Sequence, residues 1–139
     1  MRPINLVVLI DDDEIENFIK RKLIEKTNLV NQIKDFSSGK EAINYFNANS
    51  MHPDLLPEII LLDLNMPLMD GFQFLEEFLK LKPKYNKKTS IYVVSSSISP
   101  IDHEKINSIS EVSDFLIKPI TEKKFTEIVR ILMEKSLSS

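Results

Sequence analysis

Five short strand-like runs punctuate the chain, near residues 5–10, 32–36, 58–63, 90–95 and 114–118, the first and third of them almost wholly apolar. Between them, hydrophobic residues recur every three or four positions. Runs of this length, rich in β-branched residues, read as strands of a buried parallel sheet, and their alternation with helical spacing argues for successive βα units. After the first run, Ile15, Phe18, Ile19, Lys22 and Leu23 leave an apolar stripe at helical spacing, the pattern of a helix laid on a core. Ser38-Gly39-Lys40-Glu41 has the spacing of a capping box and opens a helix through Ala42, Ile43 and Phe46. Asp70-Gly71-Phe72-Gln73 opens another through Phe74, Leu75, Phe78 and Leu79. Ser99 followed by Pro100 predicts a cap and first turn leading into residues 102–110. The last helix carries the cleanest stripe: Phe125, Ile128, Val129, Leu132 and Met133.

These elements fill the chain without a linker, repeat or low-complexity segment. The expectation is a single domain over residues 1–139, with no separate output domain. Irregular stretches are predicted around 49–57 and 82–89, where Pro53, Pro57 and Pro83 discourage regular structure. A chain of 139 residues can bury a substantial core. The net charge of −3 gives no footprint for nucleic acid or an anionic membrane surface, and the basic stretch at 84–88 reads as a solvated loop. There is no cysteine, which excludes disulfides and thiolate metal sites. No run is long enough to span a bilayer, and the N-terminus lacks the pattern of a secretory signal; a cytoplasmic, soluble protein is expected.

The chemistry gathers at strand ends. The first apolar run meets Asp11-Asp12-Asp13, the third meets Asp63, the fourth ends in Ser95 and the fifth in Lys118-Pro119. In open α/β sheets, ligands bind outside the carboxyl ends of the strands. Asp13, at the strand–helix junction, suits a helix cap. Asp11 and Asp12 are left to project over the sheet edge. Two carboxylates about 4 Å apart repel by roughly 4 kcal/mol at an effective dielectric near 20. Asp63 adds to the repulsion, and a divalent cation relieves it; an all-oxygen set favours Mg²⁺ or Mn²⁺ over zinc. A strand-end carboxylate such as Asp63 can act as a nucleophile toward phosphorus, the Ser95 hydroxyl can donate to a phosphoryl oxygen, and the Lys118 ammonium can neutralise the same group.

Four segments in order resemble the receiver domain of two-component response regulators: residues 8–12 (VLIDD), 61–71 (LLDLNMPLMDG), 93–96 (VVSS) and 115–119 (FLIKP). The resemblance extends from about residue 5 to residue 133, and the chain is similar to the single-domain chemotaxis regulators. It implies a flavodoxin-like (βα)5 three-layer sandwich with sheet order 2-1-3-4-5. Asp63 then matches the phosphorylation site. Asp12 matches a direct metal ligand, Asp11 one acting through water, and Asn65 the position whose backbone carbonyl completes the metal set. Ser95 and Phe115 fall at the two switch positions, Lys118 at the site lysine, and Lys118-Pro119 at a peptide bond often cis in the family. Asn65 and Ser97 occupy the positions that tune phosphate loss.

The implied function is that of a phospho-accepting signalling switch rather than a turnover enzyme. A sensor histidine kinase or histidine phosphotransfer protein would donate to Asp63 with Mg²⁺. A surface near residues 101–136 would then engage a downstream effector, or a second copy in a weak dimer. Alternatives are a receiver-fold interaction module working without phosphorylation and a haloacid-dehalogenase-type enzyme. The latter needs Asp-x-Asp followed by Thr or Val, whereas Asp11-Asp12-Asp13 is followed by Glu14. A nucleotide-binding α/β protein is poorer still, because two glycines cannot build a phosphate-cradling loop.

Overall fold

The computed structural model describes residues 2–64, 70–85, 87–96 and 99–138. Five strands alternate with five helices: β1 (Ile4–Ile10), α1 (Glu14–Thr27), β2 (Val30–Phe36), α2 (Gly39–Ala48), β3 (Ile59–Asp63), α3 (Gly71–Leu81), β4 (Ser90–Ser95), α4 (Pro100–Asn107), β5 (Val112–Ile117) and α5 (Glu122–Ser138). Short 3-10 turns at Pro53–Leu55 and Lys82–Lys84 occupy the two stretches that the prolines mark as irregular. All strands are parallel, in the order β2-β1-β3-β4-β5. This is the expected flavodoxin-like arrangement.

The continuous apolar strands are explained by helices covering both faces of the sheet. On one face, Val7, Leu9, Ile59, Leu61 and Val94 pack with Ile24 of α1 and Phe125, Ile128 and Val129 of α5. On the other, Val8, Ile10, Ile60, Leu62 and Val93 meet Phe46 of α2, Phe74 and Phe78 of α3 and Ile106 of α4. Side chains alternate between faces along a strand, so β1 from Leu6 to Ile10 and β3 from Ile59 to Leu62 are apolar at every position.

Caps set the helix starts. Asp13 accepts hydrogen bonds from the Ile15 and Glu16 backbone N–H groups at 2.9 and 3.3 Å. Asp70 and Gln73 close a reciprocal box, with both side chain–backbone bonds at 2.9 Å. Ser38 and Ser99 each accept the backbone N–H three residues on. Helix α4 ends at Asn107, short of the predicted residue 110. There the Ser108 hydroxyl donates to the Lys105 carbonyl at 2.6 Å and the chain turns toward β5.

The stripe predicted for α1 is corrected by the structure. Ile15, Phe18 and Ile19 are 70%, 58% and 50% exposed, while Asn17, Lys20 and Ile24 face inward. The inward residues have helical spacing, but two of them are polar because that face abuts Asp11. Of the predicted stripe, Leu23 does pack against the core, but Ile15, Phe18 and Ile19 point to the solvent side. Smaller corrections of the same kind place Leu81 rather than Leu79 in the core of α3, and leave Met133 of α5 exposed.

Candidate functional site

The sheet register assembles the site. Ile10 of β1 lies opposite Leu62 of β3, so the next residues, Asp11 and Asp63, emerge side by side at the strand ends. Asp63 pairs with Val94, placing Ser95 one step beyond, and Ser95 pairs with Ile117, placing Lys118 one step beyond that. The Lys118 backbone N–H donates to the Ser95 carbonyl at 2.9 Å, tying the last two strand ends together. The following Lys118–Pro119 peptide is cis.

Asp11, Asp63 and Ser95 are buried, whereas Asp12 is exposed. One carboxylate oxygen from each of Asp11, Asp12 and Asp63 lies within 4.8 Å of the others. These hard oxygen donors, close enough to share one small ion, fit Mg²⁺ or Mn²⁺. The Lys118 ammonium sits 3.2 Å from Asp11 Oδ2 and 3.6 Å from Asp63 Oδ1. Burial alone would lower its pKa, but the charges of Asp11 and Asp63 outweigh that and hold it above the ordinary lysine value. Asp11 shows the reverse balance. Burial pushes its carboxyl up, yet the Asp13 backbone N–H and the Lys20 and Lys118 ammoniums hold it below the ordinary aspartate value.

Two participants escape the sequence pattern. Lys20 is 5% exposed and donates to Asp11 Oδ2 at 2.9 Å. Asn17 is 5% exposed and donates through Nδ2 to the Asp11 backbone carbonyl at 2.9 Å. Helical spacing puts positions 17, 20 and 24 on one face, and with Asp13 as the cap that face lies over Asp11. Phe115, on β5, is half-buried, packs against the core on the α3–α4 side, and meets the His103 ring of α4 edge-on at 4.5 Å. Asn65 and Ser97 lie outside the described residues.

Fold and site together define a doubly wound α/β protein with a carboxylate cluster at its strand ends. Residues 7–130 match the response regulator receiver domain, and the chain belongs to that family. It is similar to a two-component response regulator from Cytophaga hutchinsonii, with 32% identity, a TM-score of 0.85, and 96% and 99% of the two chains covered. The chemotaxis protein CheY4 of Vibrio cholerae has the same fold at 20% identity, with a TM-score of 0.70 and coverage of 91% and 97%. Among curated relatives, the probable methanogenesis regulatory protein FilR2 of Methanothrix harundinacea is 23% identical over 93% of this chain and 81% of its own. A protein-glutamate methylesterase/protein-glutamine glutaminase of Methanococcoides burtonii is 27% identical over 92% of this chain, which spans only 34% of that protein. The remainder of that relative lies beyond the receiver.

Phosphorylation-dependent switching is the general function of receiver domains, and the Asp11, Asp12 and Asp63 cluster fits the phospho-site. Receiver domains generally bind Mg²⁺ at such a cluster and work with histidine kinases or phosphotransfer proteins and with effectors. Among the described residues, no helix is long and apolar enough to cross a membrane.

Proposed function

We propose that Asp63 accepts a phosphoryl group from the phosphohistidine of a sensor histidine kinase or a histidine phosphotransfer protein, and that the change is read by a partner in the cytoplasm. A carboxylate oxygen of Asp63 forms the new P–O bond as the P–N bond of the donor breaks, and the leaving imidazole takes up a proton. Mg²⁺ would be held by Asp12 and Asp63, with Asp11 acting through water and the Asn65 carbonyl completing the protein set; when bound it supplies neutralisation of phosphoryl charge. Lys118 shifts its ammonium from Asp11 and Asp63 onto a phosphoryl oxygen, and the Ser95 hydroxyl donates to another. The observation that carries this reading is the convergence of three carboxylates within 4.8 Å, with the Lys118 ammonium 3.6 Å from Asp63.

Recruitment of Ser95 opens space beside β4 for the Phe115 ring to move inward, away from His103. Completing the burial of a half-buried phenylalanine contributes at most about 1.5–3 kcal/mol, enough to bias two close states. The surface that changes is α4, β5 and α5, where Ile101 and Ile117 already stand 76% and 61% exposed. Beryllofluoride, a stable mimic of the phosphoryl group, tests this reading by NMR in the presence of Mg²⁺. Shifts are expected at Ser95, Phe115 and Lys118 and across α4, β5 and α5. An unchanged spectrum at saturating beryllofluoride contradicts it and favours an interaction module that works without phosphorylation.

A further inference from the structure

Lys20 is an unusual residue to find sealed inside a helix–sheet interface. Its side chain is 6% exposed, and an ammonium removed from water is costly unless a charge faces it. That charge is Asp11, whose own side chain is 1% exposed. Asp11 is restrained on every side: Oδ1 accepts the Asp13 N–H at 3.0 Å, Oδ2 accepts Lys20 at 2.9 Å and Lys118 at 3.2 Å, and the backbone carbonyl accepts Asn17 Nδ2 at 2.9 Å. Both ammoniums share one oxygen, but their surroundings differ. Lys20 reaches Asp11 from inside α1, whereas the Lys118 side chain is 18% exposed and also faces Asp63 at 3.6 Å.

We propose that Lys20 is a positioning residue for the phosphoryl site, a permanent internal cation that holds and neutralises Asp11. Lys118 is thereby able to leave Asp11 for a phosphoryl group, and the site binds divalent metal only weakly until that group arrives. This inference rests on the phospho-acceptor reading of Asp63. Three carboxylates facing two ammoniums leave one net negative charge; without Lys20 there are two. Asp11 Oδ2, already shared by two cations, is also a poor donor to a third. Once the phosphoryl group has drawn Lys118 away, Lys20 remains, so Asp11 is never left buried without a counter-charge.

The test is the Mn²⁺ affinity of the unphosphorylated protein, measured by electron paramagnetic resonance of free Mn²⁺ and checked with Mg²⁺ by calorimetry. Methionine matches the length of lysine without its charge, so Lys20→Met is the informative variant. Removal of one positive charge beside a divalent ion predicts at least about tenfold tighter binding. A purely packing role predicts unchanged or weaker binding, and either result in a natively folded variant overturns the proposal. Asp12→Asn should move the other way, to weaker binding. Wild-type protein that binds no Mn²⁺, with or without beryllofluoride, overturns the underlying metal reading as well, which separates the two failures.

A second measurement needs no variant. In wild-type protein, the Lys20 ammonium should give a slowly exchanging nitrogen-15 signal that stays in place on addition of Mg²⁺ and beryllofluoride, while that of Lys118 shifts. Loss of the Lys20 signal on adding metal would show that the ion displaces it, and would overturn the proposal.

Discussion

Replacement of Gly71 by alanine tests how tightly the phospho-site is braced by the helix that follows it. Gly71 is the first residue of α3, and its N–H donates to the Leu64 carbonyl at 2.9 Å. A Cβ at this position would lie 2.9 Å from Leu64 Cα, 3.1 Å from the Asp63 carbonyl oxygen and 3.1 Å from Leu64 Cδ1. Two of these atoms are backbone and cannot rotate away. Its φ is not positive, so the reason for glycine is close approach rather than conformation. Overpacking of this kind costs about 1–3 kcal/mol, and the helix propensity of alanine returns at most about 1 kcal/mol. The expected net loss is therefore about 1–2 kcal/mol. With a urea m-value of about 1–3 kcal/mol/M, the midpoint should fall by about 0.3–2 M. Because the crowded atoms include the carbonyl of Asp63 itself, the phosphorylation rate from acetyl phosphate should fall as well. A Gly71→Ala protein as stable as wild type and phosphorylated at the same rate would refute the bracing argument.

Phe46 is fully buried and meets Phe36, Tyr45, Phe74, Phe78 and Tyr85 with ring centroids 5.9–6.5 Å away; Phe46→Ala should cost about 3–5 kcal/mol in urea unfolding, and a loss under about 1 kcal/mol would show that the cluster repacks. Tyr45, Tyr85 and Tyr92 are all held above the ordinary phenol value, chiefly by burial, and Lys118 lies above its own through Asp11 and Asp63, which outweigh its burial. A raised folded value contributes stability that is complete below the unfolded value, about 10 for a phenol, and is lost as pH rises through the folded one. The chain has no tryptophan and three tyrosines, so tyrosinate absorbance and circular dichroism should change together above about pH 10, whereas independent phenol titration near pH 10 with intact ellipticity would contradict the assignment. Asp11 has the opposite sign: its depressed value stabilises the fold above about pH 4, and that share is lost as pH falls through the folded value, so Asp11→Asn should flatten the acid limb of stability against pH.

The sheet is readable because its central strands β1, β3 and β4 are short, mostly apolar runs, and because the polar or charged residue at the end of a run marks the edge where ligands bind. Asp11, Asp12, Asp63, Ser95 and Lys118 therefore stood out, and parallel register is what brings them together. Helix α1 was misread for a physical reason. Its core-facing side carries Asn17 and Lys20, which satisfy Asp11, and its hydrophobic residues Ile15, Phe18 and Ile19 are outside. A periodicity argument assumes that the buried side of a helix is its apolar side, and a functional site beneath the helix breaks that assumption. The edge-on contact of Phe115 with His103 was hidden for another reason. It joins two elements whose relative placement depends on where α4 ends, and that boundary lay three residues earlier than the capping pattern implied.

Intact-protein mass followed by peptide mapping, after incubation with acetyl phosphate and Mg²⁺, decides whether Asp63 is phosphorylated. One phosphoryl group is expected, on Asp63, labile in base, absent with EDTA and absent in Asp63→Asn. An adduct that forms on another residue, or that forms equally well without metal or without Asp63, would contradict it.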